Sequence, residues 1–442
     1  MATPLTGLAN EWLKYAPKRR PLGPGDKWHV FLSYRSVNRP WVLNLYDVLC
    51  QQGYKVFIDQ CVLIAGDPLL VRLQEALGAS QAGILIWSKA TADSKWVARE
   101  YSTLENQVDS KPGFCFVPIV LDSSGLPPIL ATRLYLDFSS YPDGPNGGEL
   151  LRLLHAIVEK PLSEEAAQFA MEQDEAAQTA AVQINAAIRN GRPDRLVQLA
   201  KEGGLPWDTT PALACKAAEG LTKLKKNDEA IALLDSVRKR FPRATRPKQL
   251  YALALARRGS GADLDDAQDI LGELYAQDQR DPETLGIYGR TWMDRYAKSE
   301  DIADLRQSRN LYAEAFERAP DDYYTGINAA AKSVLLGSPE DIAKADAYAA
   351  KVQGIVGTEP KQDDYWHSVT VAEVFLIRKD YVNAARVYQA AVDMAPKETG
   401  SHESTWKQAC RLMQKLNPSA ADRDAVRKPF QHLPDCDQLA LY

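Results

Sequence analysis

The pattern of apolar positions changes near Pro161. Before that residue, short β-branched and aromatic runs alternate with amphipathic stretches; after it, nearly all of the chain has a helical period. Short runs of this kind predict strands and the stretches between them predict helices. The predicted strands are 28–33, 55–59, 83–88, 114–121 and 134–138, and the predicted helices are 40–52, 68–77 and 95–107. Strands that alternate with helices predict a five-stranded parallel sheet covered on both faces.

The second half of the chain contains a repeat of nearly constant length. Its prolines, spaced by 40, 38, 40 and 36 residues, are Pro242, Pro282, Pro320, Pro360 and Pro396. A stripe of mostly small and large apolar residues at i, i+3, i+4 and i+7 precedes each of these prolines, and another helical stretch precedes each stripe, as at 284–296 and 324–336. Stacked helix pairs of this kind predict an all-α solenoid. The alternative is a helical bundle with prolines at coincidental positions.

Between these halves lies a stretch rich in Ala, Glu and Gln that extends to about Arg189. Ser163 is a suitable N-cap, and the two glutamates that follow it suit the positive end of a helix. We therefore expect a connecting helix here. The predicted organisation is an extension at 1–26, an α/β domain at 27–160, a connecting segment at 161–213, helical repeats at 214–417 and a tail at 418–442.

Composition excludes several classes of function. The net charge is -5, no basic stripe is present, and no apolar run is long enough to span a bilayer. Nucleic acid and membranes are therefore not expected partners. The six cysteines and five histidines are scattered, so neither a disulfide scaffold nor a metal site is expected, and a reducing cytoplasm is the expected location.

Polar residues follow several of the predicted strands. They are Tyr34 and Arg35 after the first strand, Asp59 at the end of the second, and Ser88 at the end of the third. In parallel α/β sheets the ligand crevice lies beyond the carboxyl ends of the strands. These residues are candidates for a site there, and the alternative for each is that it simply begins a loop.

With the strands placed, residues 27–159 resemble a TIR (Toll/interleukin-1 receptor) domain, which has a flavodoxin-like α/β fold. Four segments in family order carry the resemblance: VFLSYRS at 30–36, GYKVFID at 53–59, LIAG at 63–66 and SKWVARE at 94–100. One departure is His29, which stands where the family usually has an acidic residue.

Some TIR domains are adaptors, whereas others cleave NAD+ and release nicotinamide. In the second class a glutamate lies four residues after a tryptophan, as Glu100 does after Trp96. The resemblance therefore implies that Glu100 is the catalytic carboxylate. A fixed anion stabilises the positive charge that develops on the ribose. The alternative is a surface glutamate paired with Arg99 or Lys95.

The resemblance also implies a substrate site for NAD+, with no metal and no further cofactor. Its predicted substrate-binding residues are Tyr34, Arg35, Asp59, Leu63, Gly66, Ser88, Ser94 and Trp96. Arg35 has the geometry to hold a pyrophosphate, or alternatively to pair with Asp59. The segment 60–70 resembles the loop through which TIR domains associate, and Pro68 stands where some NAD-cleaving relatives carry an aromatic residue.

Residues 215–400 resemble the tetratricopeptide-like "TRAFs-binding" region of apoptosis-signal-regulating kinases. The carrying segments are TLGIYGR at 284–290, DRY at 294–296, YYTGINAA at 323–330 and DYW at 364–366. In that family the region is a regulatory, protein-binding module. The alternative is that these residues serve packing, with Gly286 and Gly326 allowing close approach of helices.

The combination resembles bacterial TIR immune effectors. It implies an NAD+ hydrolase (NAD glycohydrolase) that yields ADP-ribose or a cyclic variant and acts in antiviral defence. Activation would follow from TIR self-association into a homo-oligomer or filament, and the helical repeats would regulate it by binding a protein partner or activator. The alternative is a non-enzymatic TIR adaptor or scaffold.

Overall fold

The structure, a computed structural model, describes residues 14–35, 38–58, 69–88, 95–122, 133–141, 144–242, 244–396 and 399–439, and for residues 95–102 it describes the backbone alone. The chain divides into two compact units, one that ends at Gln279 and one that begins at Arg280. The first unit contains the sheet together with the first helices of the helical region. The predicted domain boundaries follow sequence resemblance rather than compactness, and they stay predictions.

A five-stranded parallel sheet in the order β2-β1-β3-β4-β5 confirms the predicted α/β fold class. Its strands are β1 Trp28–Ser33, β2 Val56–Phe57, β3 Ser80–Trp87, β4 Cys115–Val120 and β5 Leu136–Asp137. Adjacent residues of β1 face opposite sides, so that Val30 and Leu32 lie in one apolar core and Phe31 lies in another. Burial on both faces explains why these strands appear in the sequence as nearly continuous apolar runs.

Four helices accompany the sheet: α1 Arg39–Gln51, α2 Leu69–Gly78, α3 Lys95–Ser110 and α4 Gly148–Ile157. Residues of α1 and α4 line one core with Val30, and residues of α2 and α3 line the other core with Phe31. The helices predicted at 40–52, 68–77 and 95–107 are therefore present within a few residues of their expected ends.

Helix α3 lies close to β3 because Gly83 has no side chain. A Cβ atom at Gly83 would be 2.4 Å from Leu104 Cδ2 and 3.0 Å from Phe114 Cζ. Leu104, on α3, is 1% exposed. On the same helix, Glu105 accepts two hydrogen bonds from Arg133, at 2.7 and 3.1 Å. These contacts determine where α3 lies on the sheet.

The segment that precedes β1 is bound to the sheet domain by ionic contacts. Asp26 pairs with Lys111 at 2.6 Å; burial alone would raise the pKa of Asp26, but hydrogen bonds from Lys111 and Gln81 lower it overall.

His29, on β1, accepts a hydrogen bond at Nδ1 from the Lys55 backbone N–H, at 2.9 Å. Burial, and next the charge of Arg19, lower the pKa of His29, so the neutral ring is favoured. The residue that departs from the family pattern thus joins β1 to the start of β2.

Seven further helices complete the first unit. They are α5 Glu164–Arg189, α6 Pro193–Glu202, α7 Leu205–Thr209, α8 Ala212–Lys223, α9 Asn227–Arg240, α10 Thr245–Arg258 and α11 Asp263–Ala276. Helix α5 is the predicted connecting helix, and Ser163 Oγ accepts a hydrogen bond from the Ala166 N–H at 3.2 Å as its N-cap.

Asp174 of α5 caps helix α4, whose own N-cap residue, Gly147, has no side chain. Its Oδ1 accepts hydrogen bonds from the N–H groups of Gly148 and Glu149. The same oxygen accepts from the Tyr141 hydroxyl at 3.0 Å, while Oδ2 pairs with Arg152 at 2.8 Å. A carboxylate at a helix N-terminus is stabilised by the unpaired N–H groups there. The last helix of the sheet domain is therefore completed by the connecting helix.

A second contact joins the sheet domain to helix α10. Asp47 of α1 is fully buried, and its Oδ2 accepts a hydrogen bond from the Thr245 backbone N–H at 2.8 Å. Nearby, a Cβ atom at Gly144 would be 2.8 Å from the Ala212 Cβ of α8. The face of the sheet domain that carries α1 and α4 is therefore covered by helices from the same unit.

The second unit consists of helix pairs. Its helices are α12 Pro282–Ser299, α13 Ile302–Arg318, α14 Tyr323–Leu336, α15 Pro339–Val356, α16 Tyr365–Ile377, α17 Tyr381–Met394, α18 Thr399–Leu416 and α19 Ala420–Arg427, followed by short 3₁₀ turns at Lys428–Phe430 and Cys436–Gln438. The predicted stripe residues on α13 and α17 are all buried, which confirms the helical-repeat prediction. Each repeat proline within this unit stands between the second helix of one pair and the first helix of the next, or begins that first helix.

The two glycines predicted to allow close helix approach differ. At Gly326 a Cβ atom would be 2.6 Å from Val352, so the prediction is confirmed there. At Gly286 the nearest atom would be 3.8 Å away, an ordinary contact, so the prediction is wrong there.

The expectation of unpaired cysteines is wrong for two of the six. Cys410 and Cys436 form a disulfide that joins α18 to the last 3₁₀ turn, at a sequence separation of 26. The sequence gave no sign of this pairing, because the two cysteines are distant along the chain and come together only after the chain reverses at α19. In the described part of the chain, no helix has the length and apolarity that a bilayer crossing requires.

Candidate functional site

The carboxyl edge of the sheet brings together residues that follow β1 and β3. Ser33 of β1 is in register with Leu85 of β3, so the ends of these two strands are neighbours. Tyr34 and Arg35 are half-buried just beyond β1, and Ser88 is 5% exposed just beyond β3. These three predicted residues therefore lie at the carboxyl ends of neighbouring strands, and their binding roles stay predictions.

Asn38 is a member of this edge that sequence reasoning missed. Its Nδ2 donates a hydrogen bond to Ser88 Oγ at 3.0 Å, and its backbone N–H donates to the Arg35 carbonyl oxygen at 2.8 Å. Asn38 thus holds the turn after β1 against the end of β3. The signal available in the sequence was its position just before helix α1, where asparagine commonly caps a helix. In the structure its side chain binds Ser88 instead of capping α1.

Helix α3 begins seven residues after Ser88 and includes the backbone of Trp96 and Glu100. Residues four apart on a helix lie on the same face, as the resemblance requires for this pair. Their side chains lie outside the described atoms. The predicted site residues Asp59, Leu63, Gly66 and Ser94, together with Pro68, lie outside the described residues.

Next to the ends of β1 and β3, the edge carries the guanidinium group of Arg35 and the neutral polar side chains of Tyr34, Asn38 and Ser88. A guanidinium group at the same sheet edge as a buried serine and a half-buried asparagine suits recognition of a phosphate or a sugar hydroxyl. Among the described residues, no group of three His, Cys, Asp or Glu side chains is placed to hold a metal ion.

Two protein families match separate parts of the chain. Residues 30–153 match the family described as the TIR domain, and residues 226–336 match the family described as Tetratricopeptide Repeats-Sensor. The first match spans the sheet and its helices, and the second spans helix pairs on both sides of Gln279.

One curated relative is the probable 2′ cyclic ADP-D-ribose synthase BdTIR of Brachypodium distachyon. It is 30% identical over 102 residues, which are 23% of this chain and 43% of that protein. The chain thus spans less than half the length of this relative.

Among solved structures, a thermophilic TPR protein of Thermus thermophilus is 18% identical with a TM-score of 0.36, covering 46% of this chain and 98% of that chain. The C-terminal part of a TPR repeat-containing protein from Cytophaga hutchinsonii is 12% identical with a TM-score of 0.29, covering 58% of this chain and 96% of that chain.

The strand order, the buried sheet and the two family matches agree along the sequence. The chain therefore contains an N-terminal TIR domain followed by a tetratricopeptide-like sensor repeat region.

Proposed function

We propose that this protein cleaves the bond between ribose and nicotinamide in NAD+, giving ADP-ribose or a cyclic form of it. The observation that carries the proposal is the similarity over 102 residues to a TIR protein named as a probable cyclic ADP-ribose synthase. The enzyme would act as an immune effector in the cytoplasm, where loss of NAD+ harms an infected cell.

In this proposal Glu100 is the catalytic carboxylate. Cleavage places positive charge on the ribose, and a fixed anion lowers the energy of that transition state. Nicotinamide leaves as a neutral molecule, so no strong acid is needed at the leaving group. Trp96 would exclude water beside Glu100, and Arg35 would hold the pyrophosphate. The contact between Asn38 and Ser88 keeps the turn that carries Arg35 beside the end of β3.

The test is release of nicotinamide from NAD+ by the full chain at high protein concentration. Glu100→Gln keeps the shape of the side chain and removes its charge, so we expect release to fall by about 100-fold or more. Glu75→Gln is the matched control, because this exposed glutamate lies on helix α2 and pairs with Arg72. Equal release by wild type and Glu100→Gln would refute the assignment, and no release by wild type under any assembly condition would favour the adaptor.

We further propose that the helical region restrains the TIR domain through the face that carries α1 and α4. Support comes from the buried hydrogen bond between Asp47 and Thr245 and from the cap that Asp174 supplies to α4. While these contacts hold, α1 and α4 are not available to a second TIR domain. Self-association into a homo-oligomer or filament would then follow when a protein partner of the repeats loosens the contacts.

Thr245→Pro tests this restraint specifically. Thr245 is the first residue of α10, where proline fits a helix, and the substitution removes the N–H that binds Asp47. A hydrogen bond to a charged group is worth about 1.5–3 kcal/mol, so we expect release of nicotinamide to rise by roughly tenfold or more. Thr245→Val keeps the N–H and should behave as wild type. Release that is the same in both variants would exclude regulation through this contact.

A further inference from the structure

The second unit contains a cavity of about 330 Å³ on one side of its helix pairs. Its walls come from the first helices of successive pairs, α12, α14, α16 and α18, with Tyr312 of α13 behind them. This volume is at the lower end of the range for small-molecule sites. The cavity lies in the second unit alone and contains none of the residues assigned to the TIR site.

Charge in the cavity is unbalanced towards the cationic side. Four cationic side chains and two acidic ones line it: Arg290, Lys332, Lys407 and Arg411, and Asp294 and Glu373. Two of the six, Lys332 and Glu373, are only 5% and 8% exposed. A buried lysine is costly unless something compensates its charge. Glu373 supplies part of that compensation, and an anion in the cavity would balance the remaining excess of positive charge.

Lys332 is held in place by direct contacts with neutral groups, while the Glu373 carboxylate attracts its ammonium from beyond ion-pair distance. Its Nζ donates a hydrogen bond to Asn328 Oδ1 at 2.7 Å and lies 5.2 Å from the centre of the Tyr312 ring. In the part of the chain that the structure describes, no carboxylate lies within ion-pair distance of this ammonium. Glu373 instead accepts a hydrogen bond from Gln408 at 3.0 Å. The cationic group is thus oriented by neutral partners.

Two large aromatic side chains of the cavity are exposed. Tyr324 of α14 and Trp366 of α16 are each 52% exposed, whereas the other described aromatic residues of this unit are buried or half-buried. Exposed aromatic rings beside cationic groups are typical of sites that stack a planar ring and bind a phosphate. Tyr324 is also close to Tyr312, with ring centres 6.3 Å apart and an edge-on arrangement, which orients its ring.

From these features we propose that the cavity binds a nucleotide, with its base against Tyr324 and Trp366 and its phosphate near Lys332, Arg290 and Arg411. The exposed rings would bind the planar base, and the oriented ammonium with the two guanidinium groups would neutralise the phosphate. The site goes beyond the proposed NAD+ cleavage and would give the repeats a small-molecule ligand of their own.

Titration of full-length protein with AMP, followed by calorimetry, tests the proposal directly. Because the site needs both parts of the ligand, AMP should bind at least tenfold more tightly than adenosine or inorganic phosphate. Trp366→Ala and Lys332→Met should each weaken AMP binding about tenfold or more. Trp366→Phe, which keeps a ring, and Lys344→Met, which removes a lysine outside the cavity, are the matched controls.

Glu373→Gln gives a test in the opposite direction. The amide oxygen can still accept the hydrogen bond from Gln408, but the negative charge is gone, so AMP should bind more tightly by a factor on the order of 10. A role confined to packing predicts no gain. Absence of saturable AMP binding, or binding that persists unchanged in both Trp366→Ala and Lys332→Met, would overturn the proposal.

The pH dependence provides an independent readout. Burial lowers the pKa of Lys332 to about 8, and the groups that face it are Glu373, Arg411, Arg290, Asp294 and Tyr312. The arginines stay charged and burial raises the pKa of Tyr312. AMP affinity should therefore decrease as pH rises from 7 to 9.5, and Lys332→Met should abolish that decrease. The same decrease in the variant would assign it to another group and contradict the role of Lys332.

Discussion

The contact between Gly83 and Leu104 makes a specific prediction about how α3 is positioned. In Gly83→Ala the new methyl group would be 2.4 Å from Leu104 Cδ2, closer than real Cβ contacts, and 3.0 Å from Phe114 Cζ, tighter than most of them. Overpacking of a filled core costs about 1–3 kcal/mol. Since Leu104 is buried, we expect α3 to move outward and the unfolding free energy of this region to fall by about 2 kcal/mol.

The movement of α3 also has a catalytic consequence under the proposed function. Glu100 precedes Leu104 by about one helical turn, so its carboxylate would move with the helix. A displacement on the order of 1 Å costs about 100-fold in rate when a catalytic group must be precisely placed. We therefore expect Gly83→Ala to lower nicotinamide release by roughly tenfold to 100-fold.

A double-mutant cycle distinguishes this mechanism from general destabilisation. Leu104→Ala alone removes buried atoms and should cost about 2–5 kcal/mol. In the double variant the methyl group introduced at position 83 occupies part of the vacated space, so the combined cost should be less than the sum of the two single costs by about 1 kcal/mol or more. Hydrogen exchange of the β3 and β4 amides measures the local free energy.

Gly78→Ala is the control for that cycle, because a Cβ atom at Gly78 meets no atom within 4 Å. It should leave both exchange and release unchanged or slightly improved. Additive costs for Gly83→Ala and Leu104→Ala, or a Gly83→Ala variant with wild-type exchange, would refute the reasoning.

Three further predictions concern other contacts. Asp174→Asn removes the charge that caps α4, so the unfolding free energy of the first unit should fall by about 2 kcal/mol, which a lower urea midpoint would show. Burial lowers the pKa of His29 in the folded protein, so just below pH 6.5 the unfolded chain binds more protons than the folded one. The stability of the fold should therefore decrease as pH falls through this window. In thermal melts, His29→Asn should remove the part of this decrease that is due to His29. The disulfide between Cys410 and Cys436 should appear as a cross-linked peptide in non-reducing mass spectrometry. Its reduction should lower the local unfolding free energy of the C-terminal segment, measured by hydrogen exchange, by about 3.5 kcal/mol.

Each of these predictions has a contradicting result. For the cap, an unchanged urea midpoint in Asp174→Asn would contradict the prediction. Glu172→Gln on the same helix is the control, because that side chain is exposed and pairs with Gln168. For the histidine, an identical pH dependence in His29→Asn would assign the loss to another group. For the disulfide, free thiols at both cysteines would contradict the pairing.

Much of the fold was predictable because burial determines the periodicity of each segment. Strand residues such as Val30 and Ile84 are buried on a sheet with two covered faces, which produces short apolar runs. Stripe residues such as Ser308 and Ala384 are fully buried between helices, which produces the 3.6-residue period. Local chemistry also predicted the N-cap at Ser163.

Contacts between distant segments were not predictable in the same way. Asn38 binds Ser88, and Asp47 binds Thr245, because the tertiary arrangement places them together, and no local pattern encodes either pair. Gly286 carried the same local signal as Gly326, but a Cβ atom there would make only an ordinary van der Waals contact. For the predicted TIR site, strand order explains the position of Tyr34 and Arg35, whereas the roles of the remaining residues stay predictions from resemblance.

The cap that Asp174 provides to α4 has a consequence for synthesis of the protein. During translation the segment up to Ile157 emerges before its capping carboxylate, so the amide groups at the start of α4 have no partner until the connecting helix follows. The N–H of Thr245, which binds the buried Asp47, emerges later still. The TIR domain therefore reaches its final stability only after much of the helical region has been made, so a polypeptide truncated early would carry an incompletely stabilised TIR domain.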